Sequence, residues 1–198
     1  LETRPKVFIV QSAIGYYGDR GAKMLDEESR PGEGFGAEVP IEWEAAEQEA
    51  GNIGMRLVIL RTGLILDKDS GLLKQLLPPF KLGLGGPLAG GEQYMSWIHL
   101  DDEIGLILWA LDDERVSGVI NATAPNPVTN REFSKALGRA LGRPAFMPSP
   151  KMAVAALRGR ELAEMVTGSA RVMPRRAQDL GYRFRYADID GALEAARR

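Results

Sequence analysis

The stretch Lys6-Val-Phe-Ile-Val-Gln-Ser-Ala-Ile-Gly-Tyr-Tyr-Gly18 decides the fold, because in it an apolar run leads directly into a loop that contains glycine. A short apolar run of this kind is typical of a strand that is buried on both faces of a parallel sheet. Ser12, Tyr16 and Tyr17 come at the end of the run. We therefore expect the carboxyl end of a buried strand to present one serine and two tyrosines.

A second apolar run, Met55-Arg-Leu-Val-Ile-Leu-Arg61, follows a segment that we interpret as a loop over residues 19–36 and a helix over residues 41–50. Trp43 and Ala46 are predicted to lie on the inner stripe of that helix. The order strand, helix, strand is a βαβ unit, whose two strands lie parallel. The chain is therefore predicted to be an α/β protein, the C-terminal part of a doubly wound parallel sheet with a smaller, mainly helical lobe.

Turn and capping signals divide the rest of the chain into further elements. We predict a helix over 72–80 that bends or stops at Pro78-Pro79, then a glycine-rich loop and hairpin over 83–91 and a strand over 94–99. A helix capped by Asp101 or Asp102 follows, with Ile104, Leu108 and Leu111 on its buried face, and then a strand over 118–122. The next helix begins at the capping box Thr129-x-x-Glu132 and ends at Gly142, and the C-terminal part is predicted to be mainly helical with one strand over 182–186.

Composition excludes several classes of function. The 198 residues include no cysteine and one histidine, which excludes disulfides and thiol catalysis and argues against a metal site. A net charge of −2 at pH 7 gives no reason to expect nucleic acid or a membrane surface as a partner. The arginine-rich stretch 171–185 is interpreted as a solvated face, because acidic and apolar residues interrupt it. No run approaches the roughly 20 apolar residues of a membrane span, so we expect a cytoplasmic protein with a small-molecule substrate.

Several short motifs together resemble the atypical extended short-chain dehydrogenase/reductases of the sugar-epimerase-like family, with their C-terminal helical module. The motifs are Ser12-Ala-Ile-Gly-Tyr-Tyr-Gly18, Trp43-Glu44, Leu60-Arg-Thr-Gly63, Gly85-Gly86, Gln93, Ser96-Trp-Ile-His-Leu-Asp-Asp102, Asn121-x-x-Ala-Pro125-x-Pro127 and Pro174 followed by Leu180-Gly-Tyr-Arg-Phe184. The resemblance implies a partial NAD(P)-binding Rossmann-like lobe over residues 1–82 and a substrate-side lobe with the helical module over residues 83–198.

The resemblance also implies NADP as the cofactor of a full-length parent protein. The Gly-rich turn G-x-G-x-x-G, which places backbone N–H groups against a pyrophosphate, does not occur in this sequence. We therefore expect this chain to bind NADP weakly or not at all.

The usual catalytic pair of such dehydrogenases is a tyrosine followed four residues later by a lysine, which lowers the pKa of the phenol. The pair is missing here. The residues four positions after the five tyrosines are Arg20, Gly21, Ile98, Tyr186 and Asp190. By spacing to Arg61, the helix positions where the family's tyrosine and lysine are expected hold Val39 and Trp43.

The resemblance nevertheless assigns candidate roles near the first strand. Ser12 fits the residue that hydrogen-bonds the substrate oxygen, although a small residue that caps loop amides is an equal alternative. Tyr16 and Tyr17 are candidates for a substitute acid/base, and one of them is expected to pack inward. Trp43 is expected to form a wall beside the nicotinamide.

The second strand supplies the remaining candidates for cofactor binding. Gly63 and Leu64 follow its carboxyl end, where open α/β sheets bind ligands, so backbone contact with the nicotinamide is expected by resemblance. Arg61 is a candidate for a phosphate contact, but an arginine on a buried strand more often satisfies carbonyl groups or a carboxylate.

Four polar residues are candidates for substrate binding. Gln93 and Ser96 are predicted to line a cleft between the two lobes, beside the glycine-rich loop. His99 is either part of that cleft or a packed, hydrogen-bonded residue between the lobes, and Asn121 either lines the cleft or serves a turn.

Two function classes fit these features. The first is an NADP-dependent oxidoreductase or epimerase-like enzyme that acts on a small polar or sugar-like molecule. The second is a non-catalytic protein that senses a ligand or binds a partner on a degenerate dinucleotide fold. The missing dyad favours the second class, and Ser12 with the glycine-rich cleft favours the first. Unpaired strand edges also predict a homodimer or a bound upstream segment.

Overall fold

The computed structural model describes residues 5–52, 54–147 and 167–197. In chain order, the strands are β1 Val7–Ala13, β2 Met24–Leu25, β3 Arg56–Thr62, β4 Leu64–Leu66, β5 Tyr94–Met95, β6 Trp97–His99, β7 Gly118–Ala122, β8 Val128–Thr129 and β9 Arg171–Val172. The helices are α1 Phe35–Asn52, α2 Gly71–Lys81, α3 Leu100–Asp112, α4 Asn130–Leu141, α5 Arg175–Asp179 and α6 Ile189–Ala196, and a short 3-10 helix covers Ile14–Tyr17.

A parallel sheet in the order β1-β3-β7 forms the centre of the fold. The inner positions of β3 and β7 are apolar and almost fully buried, as for Val58, Leu60 and Ile120. Strand β1 lies at the edge of this sheet with Phe8 38% exposed, so the prediction that it is buried on both faces is wrong. The predicted α/β fold with a parallel βαβ unit is therefore confirmed. Strand β7 comes from beyond residue 82 and joins the sheet of β1 and β3, so the division into lobes at that position stays a prediction.

Helix α1 starts earlier and faces differently from the prediction. It begins at Phe35, and over residues 35–48 its buried positions are Ala37, Pro40 and Glu44. Trp43 is 52% exposed, so its predicted position on the buried stripe is wrong. The three buried positions are three and four residues apart and therefore share one helix face. Because Glu44 is charged, the spacing of the apolar residues did not predict this buried face.

Helix α2 continues through Pro78 and Pro79 to Lys81, so the predicted stop at the prolines is wrong. Phe80 packs in a buried cluster with residues of α4 and α6. The glycine-rich segment then passes under its ring, since a Cβ on Gly85 would lie 2.3 Å from Phe80 Cγ. No hairpin follows, because β5 pairs with β8 and β6 pairs with β4.

Helix α3 turns acidic residues inward. Asp102 and Glu103 are buried with Leu106 and Ala110, whereas the predicted inner face, Ile104, Leu108 and Leu111, is 46%, 55% and 48% exposed. The N-cap is His99, whose side chain accepts a hydrogen bond from the Asp101 N–H group, and not Asp101 or Asp102 as predicted.

Asp102 explains why residues 182–186 form no strand. Its two carboxylate oxygens accept hydrogen bonds from the N–H groups of Arg185 and Tyr186 at 2.7 and 2.9 Å. The carboxylate of Asp102 therefore binds backbone N–H groups that a neighbouring strand would otherwise bind. The capping box of Thr129 and Glu132 and the left-handed Gly142 at the end of α4 are confirmed. Part of the predicted C-terminal helical module, residues 148–166, lies outside the described residues.

Candidate functional site

A row of polar residues crosses the central sheet near the carboxyl ends of its strands. Ser12 on β1 lies in register with Arg61 on β3, and Arg61 lies in register with Asn121 on β7. In-register residues of neighbouring parallel strands point to the same face. All three are buried, with exposed fractions of 5%, 3% and 0%. The structure thus brings three of the predicted site residues together.

Glu44 ties this row to helix α1. Its Oε1 accepts hydrogen bonds from Ser12 Oγ at 2.7 Å and from Arg61 Nε at 2.8 Å, and its Oε2 accepts one from Arg61 Nη2 at 2.7 Å. Burial opposes the charge of Arg61, but hydrogen bonds and charge interactions with Glu44 and Tyr17 outweigh burial and raise the pKa of Arg61. The hydroxyl of Ser12 therefore donates into a buried, bidentate ion pair.

Tyr17 continues the network toward β7. Its hydroxyl donates to Asn121 Oδ1 at 2.6 Å and accepts from Arg61 Nη1 at 3.0 Å. Burial raises the pKa of Tyr17 to about 12, although Arg61 acts in the opposite direction. Asn121 in turn donates from Nδ2 to the carbonyl oxygen of Met173 at 3.0 Å. Tyr17 and Asn121 thus connect the sheet to the C-terminal segment, and a phenol held in this way keeps its proton near neutral pH.

Tyr16 is the tyrosine that stays partly exposed. The guanidinium carbon of Arg61 lies 3.3 Å from the centre of its ring, and the rings of Tyr16 and Tyr17 meet edge to face at 5.3 Å. A guanidinium over an aromatic face is an attractive cation–π contact. Of the two predicted acid/base candidates, Tyr16 is therefore the one that a ligand can reach.

The fold itself uses the polar groups of the coenzyme candidates on β3 and β4. The guanidinium of Arg61 is engaged as described above. The N–H group of Gly63 donates to the Ala122 carbonyl at 3.0 Å, and that of Leu64 donates to the Ser96 carbonyl at 2.8 Å. A Cβ on Gly63 would lie 2.5 Å from the Ser96 carbonyl oxygen, so the glycine allows β6 to approach. These backbone N–H groups are not free for a coenzyme, which leaves Ser12 and the exposed Trp43.

Ser96 clamps the C-terminal segment. Its Oγ donates to the Ala170 carbonyl at 2.7 Å and accepts a hydrogen bond from the Val172 N–H group at 2.8 Å. The residue is 2% exposed. Its hydroxyl is therefore engaged within the fold, and Ser96 is not among the residues that line the cleft beside β5.

His99 is packed at the start of α3. Its Nδ1 accepts the cap hydrogen bond from Asp101 at 3.1 Å, and its ring centre lies 4.0 Å from that of Tyr186. Burial lowers the pKa of His99 against the attraction of Asp101 and Asp102. The packed, hydrogen-bonded alternative from the sequence describes this position, and His99 does not line the cleft beside β5.

An open cleft of about 610 Å³ lies beside β5. Gln93 lines this cleft together with Tyr94, Thr129 and Ser169. Gln93 Nε2 donates to the Leu88 carbonyl at 3.2 Å, which ties it to the glycine-rich segment. Gln93 is thus the predicted substrate residue that the structure places in a cleft.

The sequence motifs assign no role to Glu44, although the dipeptide Trp43-Glu44 is one of them. The usable signal was Arg61, because an arginine on a buried strand needs a carboxylate or carbonyl partner. Glu44 lies on the helix that joins β1 to β3 and so packs across the strand that carries Arg61. Among the described residues, no cluster of His, Asp and Glu that could hold a metal ion is present, and no helix is long and apolar enough to cross a membrane.

Comparison with known proteins yields relatives over nearly the whole chain. It is 43% identical over 194 residues to the chloroplastic homologue of epimerase family protein SDR39U1 from Arabidopsis thaliana, with 98% of this chain and 55% of the relative covered. An epimerase family protein of Mycobacterium leprae is 39% identical, with 98% and 64% covered.

The crystal structure of human epimerase family protein SDR39U1 with NADPH superposes with a TM-score of 0.89 at 35% identity, covering 98% of this chain and 66% of that chain. This chain belongs to the epimerase-like short-chain dehydrogenase/reductase family. The resemblance drawn from the motifs is thereby confirmed. A family model described as a domain of unknown function, DUF1731, matches residues 149–196 of this epimerase-like chain.

More distant structures agree in fold alone. A UDP-glucose 4-epimerase of Thermus thermophilus in complex with NAD superposes with a TM-score of 0.72 at 18% identity. This epimerase-like chain spans 55% of the length of the Arabidopsis relative and 64% of the length of the Mycobacterium leprae relative.

Proposed function

We propose that this epimerase-like chain carries the reacting centre of an NAD(P)-dependent oxidoreductase or epimerase that acts on a small polar or sugar-like substrate. The observation that supports the proposal best is the hydrogen bond from Ser12 Oγ to Glu44 Oε1 at 2.7 Å, at the carboxyl end of a parallel strand. Open α/β sheets bind their ligands at this end. The fold needs no such hydroxyl there, since Arg61 already satisfies Glu44 through two hydrogen bonds.

The direction of this hydrogen bond determines what Ser12 can do. Because the hydroxyl proton points to Glu44, the lone pairs of Ser12 Oγ are available to accept a hydrogen bond from a substrate hydroxyl. Ser12 can then pass its own proton toward the Glu44 carboxylate as it takes up the proton of the substrate. Arg61 balances the charge of Glu44, and Tyr16 packs over Arg61 at the partly exposed side of the same network.

The described residues fit a nicotinamide coenzyme in part. Ser12 and the exposed indole of Trp43 suit the nicotinamide end, where the coenzyme, when bound, supplies or takes up the hydride. Arg61 does not suit its phosphates, and the N–H groups of Gly63 and Leu64 do not suit the nicotinamide, because these donors are engaged within the fold. The crystal structure of the human relative is one with NADPH, and we extend this coenzyme to the present protein as part of the proposal.

The test is coenzyme turnover by the full-length natural protein, followed as absorbance of NADPH with sugar nucleotides and small polyols as substrates. Ser12→Ala should lower kcat by about 10²-fold, the usual worth of a positioned proton-transfer group. Ser29→Ala is the matched control, since its hydroxyl bonds only to Asp26 in a loop. Equal activity of Ser12→Ala and Ser29→Ala contradicts the proposal.

A second candidate function is a non-catalytic ligand sensor on the same fold. It is favoured by the absence of a Tyr-x-x-x-Lys pair and by the pKa of about 12 of the buried Tyr17, which removes one substitute for that pair. In this case the full-length protein binds NADPH, but no substrate in the panel changes its absorbance. Coenzyme oxidation that depends on Ser12 contradicts the sensor.

A further inference from the structure

The side of the cleft beside β5 is built from polar groups that are fixed by the fold. Ser169 is the clearest example, because its Oγ donates to the Gly21 carbonyl at 2.6 Å and accepts from the Tyr94 N–H group at 3.0 Å. It thereby joins the C-terminal segment to both β5 and the loop after the 3-10 helix. Tyr94 and Thr129 stand opposite each other on the antiparallel pair β5 and β8, and both line the cleft.

Arg171 on β9 lies next to this wall. Its guanidinium carbon is 4.9 Å from the centre of the Tyr94 ring. Hydrogen bonds from Thr129 lower the pKa of Glu132, whose carboxylate caps α4, and the charge of Arg171 contributes to the same shift. The contact with Tyr94, a residue of the cleft wall, therefore places Arg171 beside the cleft, although Arg171 is not itself a lining residue.

Among the described residues, Arg171 has no acidic partner, in contrast to Arg131, Arg175 and Arg185. Arg131 pairs with Glu92 at 2.7 Å, Arg175 with Asp26 at 3.3 Å and Arg185 with Asp101 at 3.2 Å. For Arg171, the described part of the chain provides no carboxylate within 4.0 Å, and Nε is buried without a hydrogen-bond acceptor.

An unpaired, half-buried guanidinium is unfavourable in a folded protein. Leaving a buried donor without an acceptor destabilises the folded state, and more so for a charged group. The nearby Glu132 does not remove this cost, because its carboxylate is engaged in the cap of α4. The cation–π contact with Tyr94 holds the guanidinium in place while leaving its N–H donors unused.

We propose that Arg171, held on the ring of Tyr94 beside the cleft, binds an anionic group of the substrate, a phosphate or a carboxylate. The planar fork of an arginine fits either oxyanion through two parallel hydrogen bonds. The neutral polar side chains of the cleft suit the uncharged part of a small polar molecule. Two carboxylates, Asp19 and Glu92, also line the cleft, and Glu92 is paired with Arg131. This inference rests on the proposed function and adds to it, because it assigns an anionic group of that substrate to the cleft beside β5.

The test is anion binding to the full chain in the absence of coenzyme, followed by the ¹H–¹⁵N signals of the arginine Nε–H groups. Inorganic pyrophosphate and succinate are titrated separately at constant ionic strength, which distinguishes a phosphoryl group from a carboxylate. We expect saturable binding of at least one anion and a shift of the Arg171 signal. Absence of saturable binding for both anions overturns the proposal.

Variants show whether Arg171 is responsible. Arg171→Gln should weaken binding at least 10-fold, and Arg171→Lys, which keeps the charge but not the fork, should weaken it by a smaller factor. Arg115→Gln is the control, because it removes the same charge from an exposed turn where Arg115 pairs with Asp113. Equal losses in Arg171→Gln and Arg115→Gln, or none in folded Arg171→Gln and Arg171→Lys, overturn the proposal.

The outcome is separable from that of the coenzyme assay. Anion binding that depends on Arg171 stands even if no coenzyme turnover is found. Where a turnover substrate is found, Arg171→Gln should raise KM with little change in kcat, the pattern of lost binding energy common to ground state and transition state. A selective fall in kcat contradicts a binding role.

Discussion

Glu44 is the residue on which the polar row of the sheet depends. It accepts hydrogen bonds from Ser12 and Arg61, and the three side chains are buried together. Removing one partner of a buried ion pair costs roughly 3–5 kcal/mol, because the other charge is left uncompensated. A neutral hydrogen bond is worth only about 1 kcal/mol.

We expect Glu44→Gln to lower the free energy of unfolding by about 3 kcal/mol and Ser12→Ala by about 1 kcal/mol, since the serine leaves the ion pair intact. Urea unfolding measures both. Glu42→Gln, on the exposed side of the same helix, is the control and should be nearly neutral. A Glu44→Gln variant as stable as Glu42→Gln shows that the ion pair does not support the fold.

Tyr17 makes stability depend on pH in the alkaline range. Its phenol has a pKa raised from 10.0 to about 12 by burial. The folded state therefore holds the proton more tightly than the unfolded state, so stability is complete below pH 10 and is lost as the pH rises from 10 toward 12.

We expect Tyr17→Phe to be less stable than the wild type at pH 8 by about 1–3 kcal/mol, because Asn121 Oδ1 loses its donor. The gap should narrow between pH 10 and 12, as the wild type alone carries this titration. Thermal unfolding at several pH values measures the gap. A gap that stays constant up to pH 12 contradicts the raised pKa.

At the level of the element, α3 shows how buried polar contacts set the rotation of a helix. Glu103 Oε1 accepts hydrogen bonds from Gln11 at 3.0 Å and from Thr62 at 2.9 Å, while its Oε2 is buried without a partner. Burial raises the pKa of Glu103, and the two hydrogen bonds offset this only in part. The helix thus carries a carboxyl group whose ionised form is unfavourable.

Because the folded state favours the protonated carboxyl, Glu103 destabilises the protein as the pH rises above the unfolded pKa and through the raised folded one. We expect Glu103→Gln, which keeps the acceptor oxygen, to be more stable than the wild type at pH 8 and equally stable near pH 4. Unfolding curves at both pH values provide the measurement. Glu114→Gln, exposed just after α3, should show no such difference. Equal stability of Glu103→Gln and wild type at pH 8 rules out the cost of ionisation.

At the scale of the whole molecule, an unpaired strand edge on β1 and an exposed apolar stripe on α3 belong to elements that contact each other. Strand β1 pairs with β3 along one side, and within the described ranges no strand pairs with its other side. The outer stripe of α3, which contacts β1, exposes Ile104, Leu108 and Leu111. An unpaired edge beside an apolar stripe favours association with another chain.

We therefore expect the 198-residue chain to form a dimer, or to hold a separate segment of sequence against β1. Light scattering measures the mass, and Leu108→Lys should shift the population toward the monomer by charging the stripe. Leu82→Lys, at an exposed residue just after α2, is the control. A wild-type chain that stays a monomer of 21.6 kDa at high concentration contradicts this expectation.

The affinity for the coenzyme is also a property of the whole molecule. A pyrophosphate is bound mainly by a glycine-rich turn and a helix N-terminus, and this sequence contains no G-x-G-x-x-G turn. We expect the chain to bind NADPH at least 10-fold more weakly than human epimerase family protein SDR39U1, measured by calorimetry on both proteins. Equal affinity shows that the described residues supply a phosphate site of their own.

The sequence by itself determined the parallel βαβ unit, the strand Gly118–Ala122 and the capping box at Thr129, because each depends on residues that are close together in the chain. It also brought Ser12, Arg61 and Asn121 into view, since polar residues at the ends of apolar strands are conspicuous. The family resemblance came from the same local motifs.

Only the tertiary structure decided which polar groups are free. Glu44, Ser96 and Asp102 find partners far away in the chain, and these contacts rotate α1 and α3 away from the faces that apolar periodicity predicts. Arg171 shows the opposite outcome. The sequence predicts that its stretch is solvated, but the fold leaves this arginine half-buried without an acidic partner among the described residues. The physical reason is that burial makes a polar group depend on a specific acceptor, and the position of that acceptor follows from packing rather than from local sequence.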